Sequence, residues 1–297
     1  MKDIYHYCQI SRQTHFKSLK RLQNQDDILP FVEGLILELR QVHPGMSLRK
    51  IYEKTQPEGI GRDAFIKLGL ELGYRLRSAS NKARTTFSIK TNKYPNLLKG
   101  KRFTDVNQIW TSDITYFRLQ EVFLYISLIM DVYSRRIIGY QLAQDLRAIH
   151  CIEALKMAFK TRDIKSYQNQ LIHHSDKGSQ YLSKQYINAL LKRDIEISTC
   201  DSVYENTHIE RLNGTIKNQY LKRWNISDLT TMKKKIKAAV EAYNIQRPHD
   251  SLKGKSPIEF EEYIKELPIN SRPKLEIFTF NDQKHNYINP MQLILNL

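Results

Sequence analysis

The chain has little cysteine for its length: three in 297 residues, Cys8, Cys151 and Cys200. They lie far apart, make no C-x-x-C pair and set out no disulfide framework, which suits a reducing compartment. Histidine is more plentiful, at nine. No pair of Cys or His pairs has finger spacing, so structural zinc is not expected. The opening residues, M-K-D-I-Y-H-Y, lack the apolar core of a secretory signal. Long hydrophobic runs are missing too. The longest, Val122 to Val132, is too short to span a bilayer and carries Asp131. A soluble, intracellular protein is expected. No Ser/His or Cys/His arrangement suggests a protein nucleophile, and no long heptad run suggests a coiled coil.

Acidic residues are in deficit as well. There are 31 Asp and Glu against 47 Lys and Arg, a net charge of +16. A polyanion is the natural partner. Nucleic acid suits it better than a membrane surface, because the charge is not gathered on a lone amphipathic helix. The deficit is sharpest from Leu72 to Thr104, where no Asp or Glu occurs. The nine cations there are Arg75, Arg77, Lys82, Arg84, Lys90, Lys93, Lys99, Lys101 and Arg102. Ser, Thr and Asn fill the rest and periodicity is lost, so residues 77–104 read as a linker. A single sign of charge is explained by a phosphate backbone alongside.

Helices are expected before that linker. Ser11 caps a short amphipathic helix with His15, Phe16, Leu19 and Leu22, making residues 1–26 an N-terminal arm. Residues 27–76 form a helical domain. Ile28, Phe31, Val32, Leu35, Ile36 and Leu39 recur at helical spacing until His43-Pro44-Gly45. Ser47 caps a second helix with Leu48, Ile51 and Tyr52. Gly59-Ile60-Gly61 is a turn, and a third helix runs from Arg62 to Leu72 with Phe65, Ile66, Leu68 and Leu70 inside. Two short helices about a glycine turn fit a helix-turn-helix, with Arg62, Asp63 and Lys67 facing the major groove.

From Asp105 the pattern changes to strands. Ile109 to Leu119 is aromatic and β-branched, with Trp110, Ile114 and Tyr116 on one face and Asp113 on the other. Val122 to Val132 is apolar on both faces, as in a central strand. Ile137 to Leu142 returns as a third strand, with Asp131 paired to Arg135 or Arg136. A helix over 148–160, a strand at 171–173, a helix capped by Ser183 and a strand over Ile195 to Thr199 follow. The result is a mixed α/β sheet.

Tyr204 to Gln219 then reads as a helix. Ile209, Leu212, Ile216 and Tyr220 form its buried stripe. Glu210 lies beside that stripe and shares a face with Asn206, Asn213, Gly214 and Lys217. Gly214 inside a helix costs about 1 kcal/mol against alanine, which a close backbone approach would explain. Asp113 sits in the first strand and Asp176 just after the fourth. If those strands are neighbours, Asp113, Asp176 and Glu210 converge. Three carboxylates suit two Mg²⁺ ions about 4 Å apart, which clamp the attacking and leaving oxygens of an in-line phosphoryl displacement. Beyond the helix, Lys233-Lys234-Lys235-Ile236-Lys237 tracks DNA, and Asn244 to Leu252 is an arginine-bearing loop with no assigned role.

Five stretches carry a resemblance: N-Q-I-W-T-S-D-I-T-Y, L-I-M-D-V-Y-S-R-R-I-I-G-Y, H-S-D-K-G-S-Q-Y, Y-E-N-T-H-I-E-R-L-N-G-T-I-K and Y-N-I-Q-R-P-H-D-S-L. In that order they resemble the catalytic, second-reading-frame subunit of IS3-family insertion-sequence transposases, which are DDE recombinases. The resemblance covers residues 1 to about 262. It implies an RNase H-like, retroviral-integrase-type core over 105–262, preceded by a small all-α helix-turn-helix-like domain, with 263–297 a C-terminal tail. In that tail Ile277 to Phe280 reads as a strand and Met291 to Leu295 as a helix or strand.

Carried over motif by motif, Asp113, Asp176 and Glu210 are the metal-binding catalytic triad, with Mg²⁺ or Mn²⁺, two ions in all. Lys217 matches the family's basic residue. His173 and His174 read as supporting residues, with His174 open to a phosphate contact. Two departures stand out. The 33 residues between Asp176 and Glu210 are slightly fewer than usual. Glu205 competes with Glu210, and Gln219 stands where some members carry an acid. The resemblance implies nicking of insertion-sequence ends and joining of the 3′-OH to target DNA, by a multimer, in the bacterial cytoplasm on the nucleoid. It also implies an upstream reading-frame partner. A nuclease that only hydrolyses and an inactive DNA-binding protein are the alternatives.

Overall fold

The computed structural model describes residues 12–76, 93–163, 171–200 and 206–277, without the side chains of residues 12 and 14–27. Ser11, Arg77, Lys82, Arg84, Lys90, Glu205, Phe278 to Phe280 and Met291 to Leu295 therefore lie outside the described residues. The chain divides into two compact units, Met1–Ser80 and Asn81–Leu297.

The first unit holds α1 (Arg12–Val42), α2 (Leu48–Thr55) and α3 (Arg62–Glu71). The break expected near residue 26 is absent, because α1 runs through it and keeps Pro30 inside. Residues 23–27 contain no glycine or proline to end a helix. Ser47 caps α2 through Lys50 N–H at 3.3 Å. Val32, Ile36, Met46, Ile51 and Phe65 close a small core. Leu70 is exposed, not inside as expected, and Gly69 takes the buried place one turn on from Phe65. A Cβ at Gly69 would stand 2.8 Å from Leu48 Cδ2, so glycine lets α2 and α1 close on α3.

The second unit contains β1 (Arg102–Phe103), β2 (Ile109–Leu119), β3 (Val122–Asp131), β4 (Ile137–Ala143), α4 (Ala148–Arg162), β5 (Ile172–Ser175), α5 (Lys184–Leu191), β6 (Glu196–Thr199), α6 (Thr207–Thr215), α7 (Leu229–Ile245), α8 (Pro257–Lys265) and β7 (Leu275–Glu276). Among the described residues, five strands form one sheet in the order β4-β3-β2-β5-β6. The first three are antiparallel; β5 joins β2 in parallel, and β6 joins β5. This mixed order is RNase H-like.

Alternation along β2 distributes its side chains between two cores. Ile109, with Ile126 and Leu128 of β3, packs with residues of α6, α7 and α8, among them Ile209, Ile236 and Phe260. Trp110, with Ile129, packs with Leu155 and Phe159 of α4 and Leu190 of α5. From Leu124 onward β3 is buried on both faces, as its composition requires, while Val122 and Phe123 at its start are exposed. Gly139 sets the close packing of β4 on α4, since a Cβ there would meet Ala154 O at 2.2 Å.

Two expectations are corrected here. Asp131 is fully buried and pairs with Arg162 at 3.2 Å, while Arg136 reaches Glu261 at 2.7 Å. Arg162 also bonds Glu261 at 2.6 Å, so the end of α4 neutralises the buried aspartate. Backbone N–H groups of Asn107, Tyr133 and Ser134 satisfy its remaining lone pairs. The second concerns the basic stretch. From residue 93 onward it is folded, because its few apolar residues anchor it. Leu98 and Phe103 are buried in the larger core. Leu97 N–H donates to Ser198 Oγ at 2.9 Å, and β1 pairs with β7. Lys101 and Arg102 find acids distant in sequence, Glu196 and Glu276.

Candidate active site

Parallel pairing puts Ser112 opposite Ser175. Asp113 and Asp176 therefore follow at adjacent positions on neighbouring chains. Asp176 is the first residue beyond β5 and turns on itself, its Oδ1 accepting Gly178 N–H at 3.0 Å. A Cβ at Gly178 would stand 2.9 Å from that oxygen, so glycine keeps the turn tight.

Helix α6 is laid across β2 by two amides. Asn206 Oδ1 accepts from Thr111 Oγ1 at 2.6 Å. Seven residues on, Asn213 Nδ2 donates to Asp113 Oδ2 at 2.7 Å. The expected stripe, Ile209, Leu212, Ile216 and Tyr220, is buried throughout. Asn206 and Asn213 flank Glu210 on its face, while Glu210 itself is exposed.

These placements appear in the electrostatics. Burial, followed by the charges of Asp176 and then Glu210, raises the Asp113 carboxyl from the ordinary range to about 8. The Asn213 amide and the Ile114 N–H pull in the other direction. Asp176 is also raised, by burial, against the Gly178 hydrogen bond. The charges of Asp176 and Glu210 are thus both felt at Asp113. Among the described residues, no group of three His, Cys, Asp or Glu side chains is placed close enough together to hold a metal ion.

The helix does not stay α. It passes into π geometry over Ile216–Tyr220 and a 3-10 turn over Leu221–Arg223. π segments mark functional sites in many helices, and nothing in the sequence signalled this one. Lys217 lies in it, its Nζ 4.2 Å from the centre of the Tyr116 ring. Burial and then Lys222 lower its pKa. Gly214 has no close neighbour: a Cβ there meets nothing within 4 Å, so packing among the described residues does not explain it.

The histidines are supporting groups. His173 Nε2 lies 3.1 Å from Ser112 Oγ and 2.9 Å from Tyr186 Oη, and burial drops its pKa to about 3. His174 is buried against Ser198 Oγ (2.8 Å) and Cys200 Sγ (3.1 Å), so the phosphate contact expected of it is not supported.

The basic candidates are dispersed. Arg62, Lys67 and Arg75 are exposed on the first unit, with Arg62 beside Asp63 and Lys67 beside Glu71. Lys99, Lys101 and Arg102, and Lys233 and Lys234 on α7, are exposed on the second. The sequence placed Asn206 and Asn213 on the right face, but only the fold shows which atoms of β2 they hold.

Known proteins give the same picture. The family described as Integrase core domain matches residues 104–204 and again 193–257. A 31 kDa protein of insertion element IS600 from Shigella sonnei is 32% identical over 243 residues, covering 77% of this chain and 88% of its own. The transposase for insertion sequence element IS629 from the same organism is 26% identical over 263 residues, 87% of this chain and 86% of its own. Among solved structures, the HTLV-2 integrase catalytic core domain in complex with magnesium matches at 20% identity, with 53% of this chain and 97% of that one covered and a TM-score of 0.43. With the family matched over residues 104–257 and a 32% identical relative covering 77% of it, the chain belongs to the IS3 family of insertion-sequence transposases, enzymes of DNA transposition with a DDE integrase core.

Proposed function

We propose that Asp113, Asp176 and Glu210 are the catalytic carboxylates of this transposase and that they hold divalent metal, Mg²⁺ or Mn²⁺, as a pair of ions. The observation that carries this is the Asp113 carboxyl, raised to about 8 by burial and by Asp176 and Glu210. A cation is what those charges call for, and an oxygen-only donor set suits a hard one. Bound there, the ions would activate the attacking oxygen and stabilise charge developing on the phosphate. The chain's own residues do the positioning. Asn213 orients Asp113, and Gly178 fixes Asp176. Glu210 stands on the exposed face of α6, open to substrate. Without a counter-charge, Asp113 keeps a proton at neutral pH.

Double-stranded DNA, both insertion-sequence ends and target, is the partner we assign. Lys217 takes a phosphate beside the carboxylates. Residues 27–76 act as the helix-turn-helix-like module through Arg62 and Lys67. Arg75, Arg77, Lys82, Arg84, Lys99, Lys101, Arg102, Lys233 and Lys234 neutralise backbone charge. We place the enzyme in the bacterial cytoplasm with the nucleoid, as a multimer on paired ends with an upstream-frame partner. Water as nucleophile gives a nick, and the freed 3′-OH then gives the joint. The test is cleavage and joining of DNA carrying the element's own end in Mg²⁺, with the wild type beside Asp113→Asn and Glu210→Gln. Joined product from the wild type alone is expected. Undiminished metal-dependent product from Glu210→Gln would refute the site.

A further inference from the structure

An open-sided groove of about 610 Å³ lies between the end of the β2–β3 hairpin and the π and 3-10 turns that continue α6. Its walls have two chemistries. Tyr116, Phe123 and Trp224 supply aromatic rings; Lys217, Lys222 and Arg118 supply cations. Among the described residues no acidic side chain lines it; Glu121, just outside, pairs with Arg118 at 2.9 Å, which leaves the phosphate role to Lys217 and Lys222. Phe123 is 43% exposed. It stands edge-on to Tyr116, with ring centres 5.7 Å apart. Trp224 packs at 5.6 Å on the buried Tyr220, and Lys235 Nζ lies 4.8 Å from its ring centre, so a base meets this ring at the edge left between them while Phe123 offers the open face.

The groove is also well placed. Tyr116 is three residues along β2 from Asp113, about 10 Å of extended chain. Lys217 is seven residues along the helix from Glu210, again about 10 Å. The groove is thus built on the two elements that carry Asp113 and Glu210, with Tyr116 leaving β2 on the face opposite Asp113.

We propose that this groove receives an unpaired nucleotide of the DNA end, its base stacked on the Phe123 ring and meeting the edge of Trp224, and its phosphate held by Lys217 and Lys222. The proposal rests on the transposase reading and adds to it the state of the substrate: a frayed or single-stranded end. Rings interleaved with cations and free of acids are the surface that single strands require, because every base offers a π-face and every linkage a negative charge. A duplex keeps its bases stacked and has no face to offer. An acidic peptide would find the cations but leave the rings exposed.

The chain has two tryptophans, and Trp110 is fully buried, so Trp224 is the emitter that added DNA can reach. The experiment titrates the full-length protein with a short oligothymidylate and with a blunt duplex, reading tryptophan emission and the anisotropy of labelled DNA. Saturable quenching by the single strand and not by the duplex is expected. Phe123→Ala and Lys222→Gln, both changes at the surface, are each expected to weaken it on the order of tenfold. Trp224→Phe preserves packing and is expected to remove the quench while anisotropy still reports binding. Equal quenching by the duplex, or an affinity unchanged in Phe123→Ala and Lys222→Gln, overturns the proposal. The two readings fail separately. End joining that depends on Asp113, with no quench, removes the groove and leaves the active site standing. A quench that survives Asp113→Asn supports the groove whether or not joining is seen.

Discussion

Replacing Asp113 by asparagine in the metal-free protein should remove one part of the pH dependence of its stability. The native Asp113 carboxyl titrates at about 8 because burial and its acidic neighbours disfavour the charge, while the unfolded chain titrates it near the ordinary value of about 4. Between those values the native state holds a proton that the unfolded state has lost. Stability therefore falls as pH rises through this window. The contribution is complete below about pH 4 and gone above about 8. One pKa unit corresponds to about 1.4 kcal/mol, so the displacement sets a ceiling near 5 kcal/mol. Asp113 keeps some contact with solvent, and relaxation around it leaves on the order of 2 kcal/mol.

Asparagine is nearly isosteric, never ionises, and still accepts the Asn213 hydrogen bond through its oxygen. Urea unfolding in a chelating buffer at intervals from pH 4 to 9 measures the effect. Subtracting the variant from the wild type cancels the titrating groups that do not interact with Asp113. The difference should fall by about 2 kcal/mol across the series. Adding Mg²⁺ should restore the wild type most at high pH, since a cation binds the ionised form, and should leave the variant nearly unchanged. A flat difference curve would mean that Asp113 ionises normally and that the charges of Asp176 and Glu210 are not felt there.

Further outcomes follow from other contacts. Asn213→Ala removes the amide that orients Asp113 and should lower strand joining about 10–100-fold, with a stability loss near 1 kcal/mol in thermal melts. Gly139→Ala drives a methyl against Ala154 O and should destabilise the fold by about 1–3 kcal/mol or more, seen as an earlier urea midpoint with no change in chemistry per folded molecule. Arg162→Met leaves Asp131 and Glu261 without their shared cation and should cost about 3–5 kcal/mol, with much of the loss recovered when Asp131 and Glu261 are also made neutral. Lys233→Gln with Lys234→Gln should flatten the slope of log affinity against log salt by about 1 for each lost phosphate contact; an unchanged slope would take α7 off the DNA path.

What the chain discloses unaided follows from range. Periodicity is local, and so the strands, the helices and the buried face of α6 were legible from residue types alone. Neighbouring of the first and fourth strands was also accessible, because a helical crossover between parallel strands leaves few options. The failures share a different cause. Leu97, Leu98 and Phe103 sit in a stretch whose charge masks three anchoring residues, and their partners come from β6 and from beyond residue 270. Asp131 takes its cation from Arg162, 31 residues away, although two arginines lie within five. The turn holds Arg135 at φ +63°, and Arg136 is drawn to α8. Proximity along the chain is a poor guide wherever a buried charge must be matched, since the match is made by whichever element closes the core. The proposed triad escapes this difficulty only in part. Asp113 and Asp176 are joined by strand register, which the pattern encodes, whereas Glu210 is brought by the hydrogen bonds of Asn206 and Asn213 to atoms of β2 about 100 residues upstream. Those two amides are the point at which a repeated motif becomes a site.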